Sequence, residues 1–156
     1  MSNDIPTLAQ WAGGPEAFER LTAAFYAKVP EHPVLAPVFA GMNPNHARHV
    51  AAFLTEVFGG PKAYTESGGS HAHMVAHHFN RHLTETQRRA WVALMLDTAD
   101  EVGLPDDPEF RAAFVGYLEW GTRLAKINSQ DGAAPADPSA PMPAWNWGPP
   151  GGPWQG

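Results

Sequence analysis

The 156-residue chain contains no cysteine, which removes disulfides, thiolate nucleophiles and cysteine-built zinc or iron–sulfur sites together. Charge is sparse as well, at 17% of residues, and acids outnumber bases by 16 to 10 for a formal net charge of -6. With no basic block to replace the counterions of a phosphate backbone, a nucleic-acid partner is excluded. No apolar run approaches the ~20 residues that span a bilayer, so no membrane partner is expected. The start, Met1-Ser2-Asn3-Asp4, lacks the basic and apolar parts of a signal peptide, and a cytoplasmic protein is expected.

Strand signals are weak, whereas helix punctuation recurs. Gly14-Pro15, Asn43-Pro44 and Asp107-Pro108 each place a capping-type residue before a proline suited to a first helical turn. Thr84 with Gln87 forms a capping box. Gly59-Gly60-Pro61 and Gly103-Leu104-Pro105 are stops, since a left-handed-tolerant residue precedes one that cannot extend a helix. The spacing predicts helices over residues 15–29, 44–58, 84–102 and 108–128, with short turns over 34–39 and 70–79. Each carries one apolar stripe, as in Phe18, Leu21, Phe25 and Val29, or Val50, Phe53, Leu54 and Val57. Four such helices packed in pairs make one all-α domain over residues 1–128.

Beyond Asn128 the composition turns to Pro, Gly, Ala and Asp. Prolines at 135, 138, 141, 143, 149, 150 and 153 forbid a sustained helix or strand, so residues 129–156 read as a disordered tail. Trp145, Trp147 and Trp154 are unusual in such a segment. They imply a tail folded back over an apolar patch of its own domain, or a docking motif for a partner.

Eight histidines stand in the chain, five of them at 71, 73, 77, 78 and 82. His73 with His77, and His78 with His82, have the i,i+4 spacing that can chelate zinc on a helix face. A single imidazole beside an apolar helical pocket is also what haem iron requires. His46 stands four residues before Val50, on the stripe that continues to Phe53, Leu54 and Val57.

The ordered set Trp11-Ala12-Gly13-Gly14, Phe25-Tyr26, Val38-Phe39, Phe53-Leu54, Gly59-Gly60-Pro61, Tyr64, His78, Trp91 and Tyr117-Leu118-Glu119 resembles the truncated haemoglobins of group II, over about residues 9–128. The resemblance implies a two-over-two helical sandwich clasping one haem b. It selects His78 as the iron ligand, because the family's tryptophan lies thirteen residues after that ligand, at Trp91 here; His77 is the neighbouring alternative. Where the family has a small residue, proline and phenylalanine after the ligand, this chain has Phe79-Asn80-Arg81.

On the same resemblance Tyr26, His46 and Trp91 are donors toward the bound diatomic ligand, and Phe39, Val50, Phe53 and Leu54 line the pocket. Phe39 replaces a tyrosine common in the family, so one hydroxyl is missing. Met74, Leu83, His49, Tyr64 and Arg81 complete the haem contacts, with His49, Tyr64, Lys62 and Arg81 at the propionate edge. Bound O₂ carries partial negative charge and is stabilised by O–H and N–H donors. The expected function is therefore O₂, NO, CO or peroxide binding with redox chemistry of the NO dioxygenase or peroxidase kind, served by a reductase. A gas store or sensor, and a zinc-binding helical protein, are the alternatives. A homodimer is also compatible with the sequence.

Overall fold

The computed structural model describes residues 4–155, and among them every regular element is helical. The helices are α1 (Leu8–Ala12), α2 (Pro15–Lys28), α3 (His46–Val57), α4 (Ala63–Glu66), α5 (His71–Ala76), α6 (Glu85–Glu101) and α7 (Pro108–Asn128), with a 3-10 turn at Val29–Glu31 after α2. The four expected helices are α2, α3, α6 and α7. Asp107 caps α7 by accepting the Phe110 N–H at 3.1 Å. Thr84 and Gln87 close a reciprocal capping box on α6, satisfying two end donors that no intrahelical carbonyl reaches.

Helix α3 starts later than the Asn43-Pro44 pair suggests. The Asn43 side chain accepts the Asn45 N–H at 2.7 Å, forming a turn that absorbs Pro44 before the helix begins at His46. The segment 70–79, expected as a turn, holds the short helix α5. Ser70 caps it through the His73 N–H at 3.0 Å.

Packing follows the apolar stripes. Helix α2 lies against α3, α6 against α7, and α2 also against α6, which makes two joined pairs. Phe58, at the end of α3, ties the layers together. Its ring centroid is 5.8 Å from Phe18, 5.7 Å from Phe114 and 5.4 Å from Tyr117, and it is fully buried. Gly59 and Gly60 follow because nothing larger fits. A Cβ at Gly59 (φ +90°) would stand 2.8 Å from the Thr7 Cβ, and one at Gly60 would stand 2.6 Å from the Thr55 Cγ2. That close approach lets the Ala9 N–H reach the Phe58 carbonyl at 2.9 Å, docking α1 on the end of α3.

Residues 129–155 contain no helix or strand, as their prolines dictate. A tail free of the domain is nevertheless not what the structure describes. The Trp145 N–H donates to the Val57 carbonyl at 2.8 Å, and its ring lies against Tyr117 and Trp120. Trp147 is buried, meets Trp11 edge-on, and donates its indole N–H to the Pro6 carbonyl at 2.8 Å. The physical reason is that two large aromatics gain more by burial on the N-terminal face than the irregular backbone loses by ordering. Trp154 remains exposed. No helix is long and apolar enough to cross a membrane among the described residues.

Candidate functional site

Helices α2, α3 and α6 bring the expected distal residues into one cluster. Tyr26, near the end of α2, is buried and its hydroxyl lies 3.1 Å from Nε2 of His46, the first residue of α3. The two rings meet edge to face, with centroids 5.0 Å apart. Phe39 packs on both, at 5.4 Å from Tyr26 and 5.7 Å from His46. Trp91 on α6 sits against Phe25 at 5.4 Å.

Electrostatics set the protonation of this cluster. Burial pushes the Tyr26 hydroxyl above its ordinary pKa, the Trp91 indole working in the opposite direction, so the phenol keeps its proton. Burial also lowers His46 to about 4, helped by the positive charges of His77, Arg81 and His49. At neutral pH the site therefore offers a phenolic O–H and a neutral imidazole, which together can present one donor toward a ligand while satisfying each other.

His78 lies just beyond α5. It is half-buried in a narrow cleft lined by Phe53, Met74, Val75, Tyr117 and Leu124, a lining that does not include His77. Nε2 of the exposed His77 lies 3.0 Å from Nε2 of His73. Burial lowers His78 to about 4, with Arg81 and His77 adding to the effect and a hydrogen bond to the Met74 carbonyl opposing it. An imidazole held neutral keeps a bare lone pair on one ring nitrogen. That is the arrangement iron-ligating histidines use.

The chelate alternatives fare differently. His82 adopts φ +51° outside any helix and faces Asp131 at 2.7 Å, so it does not share a helix face with His78. Among the described residues no group of three His, Cys, Asp or Glu side chains is placed to hold a metal ion.

The model of the bacterial-like globins matches residues 7–119. The chain belongs to this family, as a group II truncated haemoglobin. It is 37% identical over 110 residues to the group 2 truncated hemoglobin YjbI of Bacillus subtilis, covering 70% of this chain and 81% of that protein. The crystal structure of the group II truncated hemoglobin of Bacillus anthracis is similar with a TM-score of 0.71 at 28% identity, over 85% of this chain and all of that one. The truncated oxygen-avid haemoglobin of Bacillus subtilis superposes with a TM-score of 0.66 at 34% identity, over 76% and 97% of the two chains.

As a globin the chain takes haem b, and its residues fit the group. The donor set suits it, since His78 is a half-buried imidazole held neutral by burial and the distal cluster supplies an apolar, aromatic surround. Val50 is half-buried and Phe53 and Leu54 buried on α3, and Met74 lies on α5 beside His78. Two edge residues are less free in this globin than expected. Tyr64 is buried against Phe53 and its hydroxyl donates to the Ser70 carbonyl at 3.3 Å. Arg81 spends its Nε–H on the His77 carbonyl at 2.6 Å. His49 is exposed, and Leu83 is half-buried with its N–H held by Ser129.

Sequence reasoning passed over Tyr117, Leu124 and Val75, which line the narrow cleft beside His78. The signal was present for two of them, since residues 117, 121 and 124 repeat at helical spacing on α7. Val75 carried none, lying in a six-residue helix crowded with histidines.

Proposed function

We propose that this haemoglobin anchors haem b through His78 and retains a diatomic ligand, O₂ foremost, under Tyr26, His46 and Trp91, for redox chemistry against NO or a peroxide rather than bulk oxygen transport. The observation that carries the reading is the Tyr26–His46 pair, a protonated phenol 3.1 Å from a neutral imidazole in an apolar enclosure. Haem, when bound, supplies the iron that takes the ligand and exchanges electrons.

The chain's own residues do the rest. Tyr26 and His46, sharing one hydrogen bond, turn one proton between them toward a polarised ligand, and Phe39 holds both rings in place. Phe25 packs against Trp91 and fixes the direction of an indole that is a donor only. Phe53, Leu54 and Val50 exclude water, which strengthens every hydrogen bond made inside. A hydrogen bond to a charged group contributes about 1.5 to 3 kcal/mol, so one such donor slows ligand escape roughly tenfold to a hundredfold. Slow escape suits a protein that keeps O₂ for reaction. The Bacillus subtilis relative described as oxygen-avid is in keeping with that. Repeated turnover then needs an electron-donating reductase.

The test is to load the ferrous protein with O₂, mix it with NO and follow haem oxidation and nitrate by rapid mixing. Nitrate formed at a rate far above the O₂ dissociation rate supports the proposal. Rapid O₂ release with no nitrate would overturn it.

A further inference from the structure

The segment that carries His78 has little structure of its own to hold it. Helix α5 has six residues, well below the length at which a helix is stable without tertiary support. The chain then leaves it through two non-glycine residues in the left-handed region, Asn80 at φ +61° and His82 at φ +51°. Such backbone persists only where its surroundings impose it.

Ser129, the first residue after α7, supplies that constraint. It is fully buried. Its carbonyl accepts the His82 N–H at 2.9 Å, and its Oγ accepts the Leu83 N–H at 2.9 Å. The hydroxyl proton is committed to the Lys126 carbonyl at 2.7 Å, which leaves the oxygen's two lone pairs to accept from the Leu83 N–H and, at 3.1 Å, from the Gln130 side-chain amide. Gln130 adds a third tie, its amide nitrogen donating to the Leu83 carbonyl at 2.9 Å. Asp131 faces His82 across solvent at 2.7 Å, a pair too exposed to matter much.

We infer that Ser129 is a positioning residue for the proximal histidine: by pinning His82 and Leu83 in a strained turn, it fixes the loop that sets where the His78 imidazole points. The inference rests on His78 being the haem ligand. One end of the His78 segment lies on the body of α7, through α5, and the other is tied to the end of α7 through Ser129. Both anchors therefore belong to one rigid element. Serine suits the position because its hydroxyl both donates back to α7 and accepts from the loop, which alanine cannot do.

The test uses the haem-loaded full chain, with the iron–histidine stretching band of the ferrous protein and haem loss to an excess haem acceptor as readouts. Ser129→Ala is expected to shift or broaden the band and to speed haem loss about three- to tenfold. Adding His82→Gly, which lets the backbone take the left-handed turn without its steric cost, is expected to recover part of both changes. Gln130→Ala, at an exposed position, is expected to move both readouts in the same direction by less. An unchanged band and unchanged haem loss in Ser129→Ala, whatever its melting temperature does, would overturn the inference. So would changes that His82→Gly leaves wholly unrelieved, because a serine that merely caps α7 would be indifferent to residue 82. If Ser129→Ala does not fold, an unmoved Gln130→Ala overturns it equally. His78→Ala is the separate arm: retention of the wild-type band there would refute the ligand assignment, independently of Ser129.

Discussion

Removing the hydroxyl of Tyr26 perturbs two partners at once, and the arithmetic of that coupling is testable. In Tyr26→Phe the ring keeps its packing against Phe39 and Phe25. The loss is confined to one buried O–H and to the 3.1 Å contact it makes with His46. If that O–H donates to bound O₂, about 1.5 to 3 kcal/mol of ligand stabilisation disappears and O₂ dissociation accelerates roughly tenfold to a hundredfold. His46→Leu removes the other half of the pair and is expected to accelerate dissociation by a smaller factor, because Tyr26 stays as a donor. The double variant should fall short of the product of the two single effects, since groups sharing one hydrogen bond do not contribute independently. Stopped-flow displacement of O₂ by carbon monoxide measures all four rates. Equal rates in wild type and both single variants, or factors that multiply without remainder, would refute the cooperative distal pair.

Other consequences are equally direct. Phe58→Ala, which empties the point where α2, α3 and α7 meet, is expected to cost about 3 to 5 kcal/mol in chemical denaturation of the apoprotein; a cost below about 1 kcal/mol would contradict its central place. Trp147→Phe forfeits the bond to the Pro6 carbonyl and should lower stability by about 1 kcal/mol, a few degrees of melting temperature, while leaving the Soret spectrum alone. Because His46 is held at about 4 in the folded chain, the unfolded chain gains its proton first on acidification, so apoprotein stability is expected to fall from about pH 6.5 toward pH 4. His46→Leu should flatten that fall, and an identical pH profile would exclude its contribution.

The long helices were legible because their ends are written in local chemistry. Asp107-Pro108 and the Thr84–Gln87 box begin α7 and α6 where the structure begins them. Asn43-Pro44 misled by two residues, since asparagine can cap a turn as well as a helix. Helices α1, α4 and α5, of five, four and six residues, escaped notice because an apolar period needs more turns than they possess. At the site, Tyr26, Phe39 and Trp91 are reached only through the family pattern, whereas His46 also stands on the apolar stripe of its own helix. Nothing in the spacing of residues 26, 46 and 91 says that three helices converge there. In the tail the prolines dictate the irregular backbone, while the tryptophans carry the signal for a segment folded back on its own domain, with Trp147 against Trp11 and the Pro6 carbonyl.

The central claim is that His78 anchors haem b, and the absorption spectrum of the ferrous protein with and without carbon monoxide tests it most directly, in wild type, His78→Ala and His77→Ala. A Soret band that shifts with carbon monoxide in wild type and His77→Ala, and is lost in His78→Ala, is the predicted result. A spectrum that survives unchanged in His78→Ala, or collapses in His77→Ala instead, would contradict it.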